Sequence, residues 1–446
     1  IAMDGYGFGN TERTTNLLLP GMTDETYICI VNVPSDMQVC TPQKAKEIVN
    51  AVGKLKITVQ TTEDKTEVTR SLRLNKQWIT PTDYADFHRL MSEWEDSHHT
   101  TCLLYTSVYG QYTDLFTLSN KKGMEVCITN YGARVVSILV PDKNGKREDV
   151  VCGFSTIGEY MEQRQNFGST VGRYIGRILN ARFTLDGVEH KLVPNNGKSG
   201  HISHGGNPGF ADRIWKVEQA DTYTVRLSYL SPDGENGFPG NLKVTLVYSL
   251  GEDENALDLT YEATTDAPTV LNLSHHSFFN ISGDFTKSVE DQQLWVDADR
   301  FTPYDDKKCV TGEYLPVAGT PLDFRMPHTI GERIDADYPQ LKVVNGYDHT
   351  WELNTKGDDT RPAAWVYDPT SGRKMEIFTT EPGIQIYTGN GLKGKMTGKR
   401  GIAYPFRSAV CFETMHFQDS PNQPEFPSTV LRPGEVFHSH TVYKFE

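Results

Sequence analysis

From residue 113 onward the chain alternates apolar and polar residues in short runs, and turn signals separate the runs. Runs of this kind cover residues 135–140, 181–184, 224–230, 243–249, 256–263, 374–379 and 384–388. Asp142-Lys143-Asn144-Gly145 and Ser231-Pro232-Asp233-Gly234 supply polar, glycine-containing turns between them. A period of two puts alternate side chains on one face of a sheet, so each run reads as a half-buried strand. Convincing helical periodicity is nearly absent over this stretch. The pattern predicts a mainly β protein whose larger part, residues 107–446, is a large antiparallel β-sandwich. No internal repeat of 20–50 residues is present, which argues against a propeller or a solenoid.

The first 106 residues have a different character. Residues 1–20 open Gly-, Asn- and Thr-rich and predict a poorly ordered leader. A strand follows at 27–31 and a short helical stretch at 42–52. Two alternating strands, 55–61 and 66–74, are joined by Thr62-Glu63-Asp64-Lys65 and read as a hairpin. Thr80 or Thr82 can cap a helix that has Pro81 in its first turn. Tyr84, Phe87, Leu90, Met91 and Trp94 then form an apolar stripe at helical spacing, and a strand near 102–105 closes the unit. Residues 1–106 are thus expected to be a small accessory domain, α+β or sandwich-like, without a catalytic constellation.

Length supports two domains, because 446 residues exceed the roughly 250–300 at which one core stops growing. The net charge of −14 and the lack of any Lys/Arg-rich run exclude a nucleic-acid or membrane-surface partner and weigh against a phosphorylated substrate. No run of 18 apolar residues exists to span a membrane. The seven cysteines are scattered and include no CxxC pair, so they read as core thiols rather than zinc or redox sites. One disulfide among Cys29, Cys40 and Cys102 stays open. Aromatics at 11% suit sheet packing, and they also suit stacking on the apolar faces of sugars.

Some motifs do not hold up. Gly389-Asn390-Gly391-Leu392-Lys393-Gly394 matches GxGxxG after a strand, but the residues that follow are loop-like. A dinucleotide site needs a helix there to aim its N–H groups at a pyrophosphate. His438 and His440 can share a strand face, yet no third ligand accompanies them. Three other places set polar groups into apolar surroundings. Ser203-His204-Gly205-Gly206 puts a histidine in a glycine-rich loop. Ser274-His275-His276-Ser277 puts two histidines in a strand-like run, where alternation lets only one of them face a given site. Val410-Cys411-Phe412-Glu413-Thr414 buries a glutamate in an apolar strand, which is costly unless that carboxylate is paired or functional.

In order along the chain these stand with Asn166-Phe167-Gly168-Ser169-Thr170-Val171-Gly172-Arg173-Tyr174-Ile175-Gly176-Arg177, Asn272-Leu273-Ser274-His275-His276-Ser277-Phe278-Phe279-Asn280, Gly346-Tyr347-Asp348-His349, Pro382-Gly383-Ile384-Gln385-Ile386-Tyr387 and Phe426-Pro427-Ser428-Thr429-Val430-Leu431-Arg432-Pro433-Gly434-Glu435. Over about residues 108–446 the sequence resembles the aldose 1-epimerase (galactose mutarotase) family. The resemblance implies a β-sandwich with a concave cleft, Glu413 as catalytic base and His276 as catalytic acid. It implies that His204, Arg177, Asp348 and Gln385 bind the sugar. Gly176, Ser203 and Met415 replace the asparagine, leucine and glutamine frequent in that family, which bears on sugar preference more than on activity. The first unit resembles, around residues 78–94, the β-sandwich unit that follows transglutaminase-like domains in secreted Bacteroidetes proteins. That likeness favours export and leaves cytoplasmic residence open.

The implied reaction interconverts the α and β anomers of free hexoses such as glucose and galactose. Base and acid are expected on opposite sides of the sugar, with an imidazolium at His276 and with Arg177, if close, favouring the ionised form of Glu413. The chemistry requires no metal or other cofactor; a calcium ion on the acidic surface stays open, although no ligand loop for one is present. The family resemblance implies a monomer. Rival readings are a hydrolase or a hexose-phosphate epimerase on the same fold, or a carbohydrate-binding module without activity. Hydrolysis would cast Asp348 and Glu413 as the two carboxylates and leave His276 without a role.

Overall fold

The computed structural model describes residues 17–19, 24–32, 37–39, 45–61, 65–98, 104–108 and 111–446. Most of the expected leader, the hairpin tip at 62–64, and Cys40 and Cys102 with any disulfide they form lie outside those residues. The leader's end departs from expectation: Leu17–Leu18 is a strand paired with Trp78–Ile79. Two compact units group residues 1–115, with the short segments 144–146 and 155–158, and the remainder of 116–446.

In the first unit four antiparallel strands lie in the order Asp24–Asn32, Lys65–Leu74, Gly53–Thr61, Lys46–Val49. The hairpin register, Thr61 opposite Thr66, fits the sequence reading. Of the helix expected at 42–52, residues 42–44 lie outside the described residues, and the rest is instead the strand Lys46–Val49 followed by a tight turn. Lys, Glu and Ala favour a helix locally, but only Ile48 of that strand is buried, which is a strand's alternation. Asn50 then accepts the N–H groups of Val52 and Gly53 through Oδ1 and turns the chain into the next strand. The helix Tyr84–His98 begins one turn later than Pro81 suggested. Asp83 precedes it and accepts the hydroxyl and N–H of Thr80 at 2.8 and 3.3 Å. Its stripe of Tyr84, Phe87, Leu90, Met91 and Trp94 is buried with Leu55, Leu72 and Ile79 in one apolar cluster.

The second unit is built from antiparallel sheets. The largest has nine strands, in the order Lys216–Ala220, Thr224–Ser231, Leu242–Leu250, Ala256–Thr265, Phe437–Phe445, Lys374–Thr379, Ala364–Tyr367, Gln293–Val296, His328–Thr329. The last strand of the chain, Phe437–Phe445, therefore lies between two strands from the middle of the sequence. Leu242–Leu250 alternates buried and solvent-facing residues along its whole length, as its pattern predicts. A second sheet has six strands, ordered Phe278–Phe279, Val410–Met415, Gly383–Tyr387, Asp348–Glu352, Arg300–Thr302, Leu315–Pro316. Inward side chains of both sheets join one large core, and Tyr443 donates its buried hydroxyl to the carbonyl of Phe412 across the layers at 3.0 Å. After Gly389-Asn390-Gly391 the chain forms turns and the 3₁₀ turn Lys399–Gly401 rather than a helix, so the glycine motif lacks a phosphate-binding frame. Among the described residues no helix is long and apolar enough to cross a membrane.

Residues 108–446 expressed alone are expected to remain soluble and to unfold cooperatively in a circular-dichroism melt. Insolubility or a non-cooperative melt would place the boundary elsewhere or make the first unit a required partner.

Candidate active site

Three neighbouring strands of the six-stranded sheet carry the polar side chains. Their register sets Thr350 opposite Gln385, and Gln385 opposite Glu413. Alternation then decides which way each residue faces. Ile384, Ile386, Trp351 and Phe412 enter the core. Glu413, Met415, Gln385, Tyr387 and Asp348 face a cleft of about 270 Å³. The same rule separates the paired histidines. His275 turns inward, where Nε2 lies 2.6 Å from Ser277 Oγ and Nδ1 lies 3.4 Å from the Tyr248 hydroxyl. His276 faces the cleft, stacked on Phe278 with ring centroids 5.1 Å apart.

The opposite wall comes from the short pair Arg177–Ile178 and Ile202–Ser203. Arg177 lies opposite Ser203, and His204 follows at φ 52°, a left-handed conformation that throws its ring into the cleft. Only glycine fits next: a Cβ on Gly205 would lie 2.0 Å from the Gly172 carbonyl oxygen. The His204 ring meets His276 edge-on at 5.5 Å, and its buried Nδ1 has no partner. At Gly176, where asparagine was the expected residue, φ is 77° and a Cβ would lie 2.5 Å from Gln418 Cγ. Gln418 thus fills the space beside Gly176, and its amide donates to the Tyr304 hydroxyl at 2.7 Å. Buried Arg134 fixes the loop that closes the rim by donating to the carbonyls of Gln165 and Phe167.

All six residues singled out from the sequence, Glu413, His276, His204, Arg177, Asp348 and Gln385, line this one cleft. Arg164, Gln165 and Gln418 line it too and were not singled out. Arg164 and Gln418 reach it from loops and turns, where no periodicity marks a residue. His438 and His440 lie elsewhere; His440 is held by Asp359 and Asp258 on the nine-stranded sheet.

At the cleft floor His276 Nε2 and Glu413 Oε1 are 3.4 Å apart. Burial pushes the Glu413 carboxyl well above its usual range, and the Asp348 charge adds to this. Burial likewise pushes His276 well below its usual range, helped by His204. His204 is lowered to about 4, by burial first and then by the Arg177 charge. Asp348 is raised by burial, against the pull of Arg177 and of the amide of Gln385, which donates to Oδ1 at 2.7 Å. Gln385 is oriented in turn by the Thr350 hydroxyl, 2.5 Å from its Oε1.

Two electrostatic expectations therefore change. Burial disfavours the imidazolium expected at His276, because desolvation penalises its charge. Arg177 acts on Asp348 and His204 instead of drawing Glu413 toward the ionised form. His276 and Glu413, expected from the sequence to face each other across a sugar, are neighbours in this cleft.

A buried carboxyl and an imidazole in contact, in a cleft walled by hydrogen-bonding groups, is equipment for moving a proton between neighbouring oxygens. A sequence profile described as aldose 1-epimerase matches residues 114–444, about three quarters of the chain. This chain belongs to the aldose 1-epimerase family. It is accordingly an isomerase of the mutarotase type. It is 38% identical over 323 residues to the galactose mutarotase of Homo sapiens, spanning 72% of this chain and 91% of that protein. To the aldose 1-epimerase of Escherichia coli K12 it is 37% identical over 339 residues, 75% of this chain and 96% of that one. An aldose epimerase homologue from C. elegans superposes with a TM-score of 0.69 at 31% identity, over 75% of this chain and 99% of that one. A galactose 1-epimerase from Lactobacillus acidophilus superposes with a TM-score of 0.66 at 29% identity, over 76% and 95% of the two chains. Residues 2–104, ahead of the epimerase domain, match a domain of unknown function that has a solved structure.

The raised Glu413 carboxyl has a stability consequence in the epimerase. Its folded-state value lies above the ordinary 4.5, so the folded protein binds that proton more tightly than the unfolded chain does. Its ionisation costs nothing below that pH and costs progressively more as pH rises toward the folded value. Glu413→Gln is therefore expected to melt at a higher temperature than the wild type at pH 8 and at about the same temperature at pH 4. A lower melting temperature for the variant at pH 8 would contradict the burial argument.

Proposed function

We propose that this protein interconverts the α and β anomers of free hexoses, glucose and galactose among them, by opening and reclosing the pyranose ring. The observation that carries the proposal is the buried contact between His276 and Glu413 at the floor of a polar cleft, 3.4 Å from nitrogen to oxygen.

Glu413 takes the proton of the C1 hydroxyl while His276 gives a proton to the ring oxygen. The C1–O5 bond breaks and a C1 carbonyl forms. The pair has then passed one proton from imidazole to carboxylate and holds the same total. Rotation about C1–C2 presents the other carbonyl face, and the reverse transfers close the ring. No net proton, metal or other cofactor is consumed. Positioned acid–base catalysis of this kind contributes about 10²–10⁴-fold per group.

Burial favours the tautomer that keeps the shared proton on Glu413. This is also the state of the pair opposite the open-chain aldehyde. Ring opening requires the ionised tautomer, which the hydroxyl dipoles of an entering sugar favour over the dry cleft. The array Thr350–Gln385–Asp348 offers the sugar a fixed acceptor, and His204 offers an unfilled hydrogen-bonding nitrogen. Arg177 lines the same cleft, and a guanidinium there would steady negative charge on oxygen as the ring opens.

Polarimetry on freshly dissolved α-D-glucose and α-D-galactose is expected to show faster approach to the unchanged equilibrium rotation. An unchanged rate with both, from folded protein, would overturn the free-hexose assignment; acceleration with glucose 6-phosphate alone would move it to sugar phosphates. Glu413→Gln and His276→Asn are each expected to lower kcat by about 10²–10⁴-fold, the usual worth of a positioned acid or base. A folded Glu413→Gln protein that keeps wild-type kcat would remove Glu413 from the role of base.

A further inference from the structure

Cys411 has no role in the acid–base scheme, yet it lies two residues before Glu413 on Val410–Met415 and therefore on the same face of the sheet. Its Sγ is 3.7 Å from Nδ1 of His276, whose Nε2 is 3.4 Å from Oε1 of Glu413. One donor atom from each of the three residues falls within 4.8 Å of the other two, and all three residues are buried. Among the described residues this is the one group of at least three such side chains arranged in that way.

A thiolate, an imidazole and a carboxylate make a donor set suited to zinc or cobalt(II), not to calcium or magnesium, which take oxygen ligands. Bonds of about 2.3 Å to sulfur and about 2.0–2.2 Å to nitrogen and oxygen put the corners of a tetrahedron roughly 3.3–3.6 Å apart. With one donor atom from each residue the three lie within 4.8 Å of one another, so closing on an ion takes a turn of the imidazole that presents one nitrogen to both partners. His276 and Glu413 line the cleft, so a fourth, exchangeable ligand would reach the ion from that side, as in zinc sites with three protein ligands.

We propose that Cys411, His276 and Glu413 form a binding site for a thiophilic divalent cation, zinc foremost, and that its occupation switches the epimerase off. On binding, the proton of the Cys411 thiol and any proton on Glu413 are released to solvent, the thiolate and carboxylate become ligands, and His276 donates a lone pair of its ring. A coordinated Glu413 and His276 then have no free oxygen or nitrogen with which to exchange protons with a sugar. The inhibition rests on the acid–base roles proposed above; the binding does not.

The test uses the full-length protein, stripped of metal, titrated with Co²⁺. The expected result is one equivalent of cobalt with a thiolate-to-cobalt charge-transfer band and the intense visible absorption of a tetrahedral ion, both removed by zinc. Cys411→Ser is expected to abolish the charge-transfer band. Glu413→Gln is expected to weaken binding by more than about 100-fold, because even the outer partners of a metal ligand are worth about 10–100-fold. Absence of the band in the wild type, or its persistence in folded Cys411→Ser, would overturn the site. Should Cys411→Ser fail to fold, Cys411→Ala and Glu413→Gln carry the same comparison. In parallel, mutarotation is measured against zinc and then with excess EDTA. Chelator-reversible inhibition that competes with sugar, and that needs far more zinc in Cys411→Ser relative to its own zinc-free rate, is expected. Full activity of a cobalt- or zinc-loaded enzyme would overturn the switch. The cobalt band reads the site even where no sugar tested is turned over, so failure of the proposed reaction and failure of this site give different results.

Discussion

The structure turns on the burial of one carboxyl group. Glu413 sits in a strand whose six residues are all buried, and such a strand exists only where it is covered on both faces. One cover is the nine-stranded sheet, reached through the Tyr443 hydroxyl on the Phe412 carbonyl and through Thr414 and Thr441, whose hydroxyl oxygens are 2.6 Å apart. Tyr443 and Thr441 belong to Phe437–Phe445, the last strand of the chain, which is paired on both edges with strands from its middle. The position of the proposed base therefore depends on the chain end being in place. An isolated ionised carboxylate in such surroundings costs several kcal/mol, and burial accordingly raises the group's affinity for its proton.

Dryness at the floor sets the demands on the walls. Where water is scarce, each unpaired polar atom is expensive, so the cleft is lined by groups that hold one another. Thr350 orients Gln385, Gln385 orients Asp348, and the amides of Gln385 and Gln418 both reach the Tyr304 hydroxyl. This chain of partners leaves few ways for Asp348 to move before a ligand arrives. The His204 Nδ1 stays unpaired, held in the cleft by a left-handed backbone that the packing of Gly205 against Gly172 enforces. A site that leaves a buried donor or acceptor unfilled discriminates by hydrogen bonding rather than by size, because a ligand lacking the matching hydroxyl leaves the penalty in place.

Much of this was legible in the sequence where a single period governs the outcome. Leu242–Leu250 could be read residue by residue because one face is buried and the other wet. Glu413 stood out because a charge in an apolar strand needs a reason. Where two influences compete, the sequence was ambiguous. Residues 42–52 are rich in helix formers, but pairing with Gly53–Thr61 outweighed that local preference. Alternation said that His275 and His276 face opposite ways, and only the family resemblance said which one faces the sugar. Arg164 and Gln418 enter the cleft from irregular segments and left no periodic trace. The downward shift of His276 could not be read from spacing at all, since it follows from how completely the folded chain buries that ring.

The same exclusion of water ties together the proposed catalysis and the proposed metal site. A general acid and base that trade one proton must be close, buried and free of strong fixed ion pairs, or the proton settles on one partner. Those conditions also describe a metal site lacking only a soft ligand, and two-residue periodicity supplies Cys411 on the same face as Glu413. A serine at that position would pack almost as well and bind zinc far less strongly. The choice of sulfur over oxygen at one strand position, rather than the architecture of the cleft, thus decides whether this acid–base pair is also open to a transition metal.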